Sequence, residues 1–545
     1  MSEETKDVYP MIKDIENVLE STAPEDAVEK EIKSIFVKKF SKEFTELKHT
    51  SNKDTVASLS ELPDTVLLKI FSNFSLPELC HIALVCKHWL WIVYDSELWR
   101  YVDLSRYKQI TEGHIVNLIQ ARLSPLLKSL DLSNREITPV IMNELSEHCH
   151  QLDTLVLQNC LLSEEAQQNE VGNLASVPEK LVRLDVRNFK QGFYFVHLIL
   201  EANDLSNLEC FGFGNNDFCP AFTEFHTIFR KMHALRILEC VHCPTINDNQ
   251  IKLFADELKC LESLVLTKCS NVVGSSLPYL VENSKYLKSL NLSETTVSSD
   301  WLMQTPWEKS IIEELDLSFC LHISADALAA SIPKIKTLQH VALHNVGRSK
   351  AVTSMLLENA FNQSTWVNLE VLCLRFCNKL TVNALPFLER CNNLKYLSLR
   401  SCFKISYMSI GANLKFLPHL LHLECGSLLL SQESICNNWV KLFESCATYC
   451  PDLQKLILVK CSNMPLSRLN EYRRIFSRFF TNCTHLELVC VLYSEESIFK
   501  LLGEVSQKIN TNIVIANTPG LEVIPRFRHS LDTELNRKRF KTFTV

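Results

Sequence analysis

The sequence predicts an α/β solenoid, a parallel sheet inside with helices outside, fused to an N-terminal unit of three helices. The main observation is a template, LxxLxLxxC, that recurs in phase over most of the 545 residues. Length agrees, since such a chain is too long for one ordinary core and suits stacked units. A third observation sets the start apart: from Leu59 to Leu104, two Leu-Pro pairs punctuate a run dense in aliphatic and tryptophan side chains.

Residues 1–55 read as a flexible charged arm. Within it Val28, Ile32, Ile35, Phe36, Phe40, Phe44 and Leu47 fall on one helical face, which predicts an amphipathic helix. That helix either docks on the neighbouring domain or orders on a partner.

Residues 56–104 form the helical unit. Leu62-Pro63 opens it, because proline's missing N–H costs nothing at a first helical position. Val66, Leu67, Ile70, Phe71 and Phe74 then follow at helical spacing. Leu76-Pro77 restarts the chain in a second helix with Leu79, Ile82, Ala83, Val85 and Cys86, and Trp89, Trp91, Ile92 and Trp99 close the stretch. This is more apolar surface than so small a core can hide, so the surplus must meet the next domain or a partner.

Residues 99–516 carry the repeats. Full copies begin at Leu152, Leu261, Ile312, Leu369, Leu394 and Leu453, and weaker ones at Trp99, Leu127, Leu181, Leu208, Leu235, Leu287, Leu338, Leu420 and Cys483. Their spacing, mostly about 25–29 residues, is that of leucine-rich repeats, and a degenerate last strand falls at Ile513–Ile515. The alternating leucines of LxxLxL point inward from a strand. The second half of each repeat has helical spacing, as in Ile137, Ile141, Leu145 and Cys149, or Ala384, Leu385, Leu388 and Cys391. Residues 517–545 leave the pattern and read as a basic tail, with Arg537, Lys538, Arg539 and Lys541 as a solvated cluster, a nuclear address or a contact for an acidic partner.

Composition narrows the function. Hydrophobic content of 46% and charged content of 22% are those of a folded soluble protein. A net charge of -7 argues against a nucleic-acid or membrane binder. No apolar run reaches membrane-spanning length, and the acidic N-terminus does not read as a secretory signal. The 22 cysteines are therefore expected as reduced thiols. Cys160, Cys269, Cys320, Cys377, Cys402 and Cys461 fall where the chain leaves each strand, a place for a small side chain packed beneath the turn. Cys240 and Cys243 have half the spacing of a zinc site, but no second half follows, so buried thiols are expected, with no metal and no cofactor. No P-loop, GxSxG, HExxH or catalytic cluster stands out, which predicts a non-catalytic protein.

Leu62-Pro63, the apolar helix after it, Leu76-Pro77, the Val85-Cys86-Lys87-His88-Trp89 segment and Leu98-Trp99 resemble an F-box, with His88 where arginine is common. Joined directly to cysteine-type repeats, the stretch resembles the F-box/leucine-rich-repeat family, substrate receptors of SCF ubiquitin ligases. The resemblance covers roughly Leu59 to Ile515. It implies a Skp-family adaptor bound by the F-box and, through it, a cullin, a RING subunit and an E2, in the cytoplasm or nucleus. It also implies a protein substrate held by the repeats. Adaptor contact is expected from Leu62, Pro63, Leu67, Ile70, Phe71, Leu79, Val85 and Trp89, some of which must also serve the F-box core. The alternative is a repeat scaffold acting outside any ligase.

The outward strand positions are the natural substrate surface. Asp131, Asp185, Glu239, Asp316 and Glu424 place carboxylates there, and Arg375 and Arg400 are expected side by side on neighbouring strands. Like charges so placed disfavour each other unless an anion bridges them. With Phe319, Phe376, Tyr396 and His344 around them, they form a candidate seat for a carboxylate or phosphate. The bland alternative pairs each arginine with a carboxylate such as Asp316, or leaves it in water.

Overall fold

Each copy of the template folds as one short strand. The computed structural model describes residues 62–540 except 124–125, 164–176, 191–199, 201–202, 216–221, 363–365, 428–437, 463, 510–512 and 518–526. The amphipathic helix expected at 27–47 lies outside the described residues. The chain divides into two units, Met1–Phe218 with Leu535–Val545, and Cys219–Glu534.

The first unit opens with α1 (Asp64–Phe71), α2 (Leu76–Val85) and α3 (Lys87–Val93). Pro63 sits one residue earlier than expected, as the N-cap of α1, where its carbonyl accepts from the N–H groups of Val66 and Leu67. Ser75 and Glu78 form a capping box that starts α2, with the Ser75 N–H 2.6 Å from the Glu78 carboxylate. Leu67 and Phe71, four residues apart, turn the same side of α1 inward, and the Phe71 ring meets Trp89 edge-on at 5.3 Å.

A tight turn, Ser96–Trp99, leads straight into strand β1 (Tyr101–Asp103). The strands that follow are β2 (Ser129–Asp131), β3 (Glu136–Ile137), β4 (Thr154–Val156), β5 (Leu161–Leu162), β6 (Arg183–Asp185) and β7 (Cys210–Gly214). β1, β2, β4, β6 and β7 pair in that order, all parallel, while β3 and β5 make a small parallel pair of their own. The helices pack on the turn at Trp99 and on the helical segments Glu112–Leu118 and Ile119–Leu123 of the first repeat. Buried Trp99 donates its ring N–H to the Val93 carbonyl at 2.8 Å, and the Arg122 guanidinium lies over the Tyr94 ring, 3.6 Å from its centre. Leu76, Cys80, Trp99, Ile110, His114 and Leu118 line one small apolar pocket at this joint.

After most strands of the long sheet one residue takes a left-handed conformation, a feature the LxxLxLxxC pattern does not announce. In the first unit these residues are Asn134, Asn159, Asn188 and Asn215, with φ between 50° and 66°. Asparagine visits this region at less cost than most residues. Their side-chain amides form a ladder: Asn159 donates to Asn134 at 3.2 Å, Asn188 to Asn159, and Asn215 to Asn188 at 2.8 Å. Asn188→Ala should cost about 1–2 kcal/mol by urea denaturation, from lost hydrogen bonds and left-handed strain together. Asn188→Gly should recover the strain part alone, and an equal loss in both variants would leave strain with no role.

The second unit repeats the device with other residues. Its strands are β8 (Ile237–Val241), β9 (Ser263–Val265), β10 (Ser289–Asn291), β11 (Glu314–Asp316), β12 (His340–Ala342), β13 (Val371–Cys373), β14 (Tyr396–Ser398), β15 (His422–Gly426), β16 (Lys455–Val459), β17 (Leu488–Leu492) and β18 (Val514–Ala516). They pair in parallel in sequence order. Leu264, Leu290, Leu315, Leu372 and Leu397 stand in register and are fully buried. Helices such as Asp248–Glu257, Ala325–Ser331 and Leu469–Asn482 connect the strands. Between Thr381 and Cys391 the expected helix tightens to a 3₁₀ run, because Pro386 inside it cannot donate an α-helical bond.

The recurrent cysteines have a definite task. The thiols of Cys160, Cys269, Cys320 and Cys402 donate to Leu132, Cys240, Leu292 and Leu374 carbonyls of the preceding repeat, at 3.2, 3.3, 3.0 and 2.9 Å. Each bond ties a repeat to its neighbour and needs the thiol proton. Burial keeps that proton in place, pushing Cys160 up to about 11 and Cys320 up to about 12. Cys240 and Cys243 are buried as well. Among the described residues, no cluster of three His, Cys, Asp or Glu is arranged to hold a metal, and no helix is long and apolar enough to cross a membrane.

Candidate interaction surfaces

The helical unit keeps some of its apolar side chains out of its own core. Of the residues expected to contact an adaptor, Leu67, Phe71, Leu79 and Trp89 are buried, Leu62 and Ile70 half-buried, and Pro63 and Val85 exposed. Val85 does not serve the core. Outside stand Val66 (41% exposed), Leu84 (50%), Val85 (49%) and Trp91 (63%). Val66 and Ile70 make a second apolar stripe on α1 beside the Leu67–Phe71 stripe, with Leu62 just ahead of the helix. Sequence spacing alone merged the two, because both satisfy helical periodicity.

On the sheet face opposite the helices, the expected anion seat is not formed. Arg375 is buried and turns back across β14 to the Glu424 carboxylate on β15. Its Nε donates to Ser398 Oγ at 3.2 Å, and Ser398 donates to Glu424 at 2.7 Å. The buried Tyr396 hydroxyl lies 3.4 Å from the guanidinium. Burial, the largest single influence, lowers the guanidinium, but the Glu424 charge and hydrogen bond, together with Tyr396 and Cys373, outweigh it and raise Arg375 above its ordinary value. Arg400 is half-buried. His344 is buried, and burial with the nearby Arg375 charge pushes it down to about 3. Phe319 and Phe376 are about 40% exposed at the left-handed positions after their strands, with main-chain N–H groups bonded to His344 and Arg400 carbonyls. The bland alternative holds for Arg375, with Glu424 rather than Asp316 as its partner.

Several of the mapped carboxylates also have local work. Asp131, Asp185 and Asp316 accept the N–H two residues on, at 2.9, 3.1 and 2.8 Å, closing an Asx-turn where the strand ends. Asp185 also holds Arg187 through both oxygens.

The remaining carboxylates lead to an unforeseen occupant. The tail was expected in water, yet Phe527 and Leu531 are buried on the sheet of the second unit. Glu314 accepts the main-chain N–H of Arg528 at 2.6 Å and of His529 at 3.4 Å. Glu239 accepts the N–H of Leu531 at 2.7 Å, where a helix, Leu531–Phe540, begins. A carboxylate at a helix N-terminus is favoured by the free N–H groups and the helix dipole. The Arg528 guanidinium bonds Gln339 at 2.8 Å and pairs with Glu370, which also holds Lys395 at 2.9 Å. The Phe527 ring meets His340 edge-on at 4.5 Å. The side chains of Arg537, Lys538 and Arg539 lie outside the described residues. Only the leucine-like spacing of Phe527 and Leu531 hinted at docking, and the surrounding charge masked it.

The first unit thus joins three helices with exposed apolar side chains to parallel leucine-rich repeats, and the second unit is built of parallel repeats throughout. Residues 59–105 match the F-box-like family model. The chain is similar to F-box/LRR-repeat protein 12 of Bos taurus and of Homo sapiens, 25% identical over 256 residues, which is 45% of this chain and 75% of each relative. Looser likenesses among solved structures are the Rad7 and Elc1 complex in yeast (16% identity, TM-score 0.44, covering 60% of this chain and 82% of that one) and the leucine-rich repeat-containing protein LegL7 from Legionella pneumophila (20% identity, TM-score 0.35, covering 56% and 98%). The chain carries an F-box-like segment joined to leucine-rich repeats, the arrangement of an F-box/leucine-rich-repeat protein.

Proposed function

We propose that this chain is the substrate-recognition subunit of an SCF-type (Skp–cullin–F-box) ubiquitin ligase. The observation that carries the reading is apolar surface left outside the F-box core while that core is packed directly onto the first repeats. Leu62, Pro63, Val66, Ile70, Leu84, Val85 and Trp91 supply the face for a Skp-family adaptor, and through it a cullin, a RING subunit and an E2. Leu67, Phe71, Leu79 and Trp89 hold that face in shape. The repeat sheet holds the substrate. The receptor adds no bond-making group and works by proximity, raising the effective concentration of a substrate lysine near the E2. The joint through Trp99, Val93, Tyr94 and Arg122 suits that role, since positioning fails across a loose tether.

Leu62→Ala combined with Pro63→Ala is expected to abolish co-purification of adaptor and cullin and to leave urea unfolding within about 1 kcal/mol of the parent, since neither side chain fills the core. Undiminished co-purification would sink the adaptor reading. Adaptor recovered without cullin would instead favour a scaffold outside the ligase.

A further inference from the structure

We propose that the sheet face running from Glu239 to Glu370 is a peptide-binding groove for a partner segment of the form aromatic–Arg–x–x–Leu, and that the chain's own Phe527–Leu531 occupies it as a resident competitor. The inference rests on the receptor reading and deepens it by naming a class of substrate.

The groove is built around main-chain recognition. Glu314 and Glu239 are 2% and 4% exposed, and a carboxylate so buried is costly without hydrogen-bond donors. The tail supplies main-chain N–H groups from Arg528, His529 and Leu531. Such contacts accept any non-proline residue, so they fix an extended segment entering a helical turn but not its sequence. Sequence is read at three points. The edge of an aromatic ring packs on His340, a guanidinium bridges Gln339 and Glu370, and an aliphatic side chain goes fully out of water at Leu531. His529 lies 3.9 Å from Glu313 in a half-buried pair at the edge of ion-pair distance, which reads little of the sequence.

The arrangement suits exchange. The inward leucines of β8–β13 pack beneath the sheet and need nothing from the tail, so release leaves the repeat core intact. Freed carboxylates on the sheet surface gain water in place of the lost N–H groups. The tail's advantage is its tether, which gives it a high effective concentration. A partner segment must therefore bind more tightly, or be helped by further contacts, before it displaces the resident.

The test uses the full chain with Phe527→Ala, Arg528→Glu and Leu531→Ser together, which releases the tail. The probe is a fluorescent peptide, IPRFRHSLDTEL, the tail's own sequence. We expect it to bind the released variant at least about tenfold more tightly than the parent. Glu370→Lys in the released variant should remove that binding, as should serine and glutamate in the peptide's Phe and Arg positions. No gain over the parent, in a variant with unchanged circular dichroism, would overturn the proposal and make the tail a fixed part of the fold. Hydrogen exchange on the unaltered chain gives an independent reading. The N–H groups of Arg528 and Leu531 should exchange far faster than those of β10–β12, and equal protection would overturn exchangeability. A parent dimer absent in the released variant would assign the groove to a second copy's tail and overturn the partner assignment. The Leu62/Pro63 variant should bind peptide as the parent does, so failure of the groove and failure of the adaptor reading are told apart.

Discussion

Replacing Arg375 with alanine should destabilise the second unit by about 3–5 kcal/mol, one of the largest effects expected of any single charged residue in the chain. Glu424 is 1% exposed, and its carboxylate is held by the Arg375 guanidinium and the Ser398 hydroxyl. With the guanidinium gone, a buried charge keeps one neutral donor, and neutralising it or drawing water into the sheet both cost stability. The pair itself need not be a net gain over apolar packing, because taking two charges out of water offsets much of their attraction. Arg375→Leu with Glu424→Leu should therefore recover most of the loss. Urea unfolding of the two single variants and the double variant measures this, and additive losses in the double variant would refute the coupling. Charge reversal at Arg375 is consequently no probe of substrate capture, because it breaks the sheet's own structure first.

This correction shows how far residue patterning reaches. The LxxLxLxxC period is set by what every repeat must do, bury leucines and turn under the sheet, so it is written many times over and is legible. Cys320 and Cys402 belong to it, and their role needed only a carbonyl one repeat back. The partner of Arg375 was not legible, because it lies 49 residues away across an intervening strand and depends on rotamers rather than spacing. Counting strands put Arg375 beside Arg400 correctly, but could not say that the Arg375 side chain turns to Glu424. The docked tail is a clearer case. Glu314 and Arg528 are 214 residues apart, and their hydrogen bond runs to main chain, which leaves no side-chain signature at all. On the F-box, helical period showed that α1 is apolar. Which of its two stripes faces inward was settled by α2 and α3, through contacts such as Phe71 with Trp89.

The second unit should also lose stability in mild acid, by roughly 2–3 kcal/mol between about pH 7 and pH 5. His340 and His344 are buried, and each is pushed from 6.5 down to about 3, by burial first, then by Arg528 and His344 in the one case and Arg375 in the other. In the unfolded chain both take up protons below pH 6.5, while the folded protein refuses them, so stability falls as pH falls through that window. At pH 5 each histidine accounts for about 2 kcal/mol of loss. Asp316 works the other way. Burial raises it from 3.8 to about 6, so its native form takes a proton first, and acid below pH 6 returns about 1 kcal/mol by pH 5. Glu314, raised by burial against the opposing N–H of Arg528, shares that sign. The histidines therefore dominate. Urea midpoints across this range should drop for the parent and drop by about a third as much for His344→Gln, which keeps a polar side chain but cannot titrate, because the opposing gain from Asp316 remains. An equal pH slope in the two proteins would remove His344 from the account. His340 meets the Phe527 ring edge-on, so in the full chain its protonation should release the tail before the sheet unfolds, seen as a fall at acid pH in the protection of the Arg528 and Leu531 N–H groups relative to their intrinsic exchange rates.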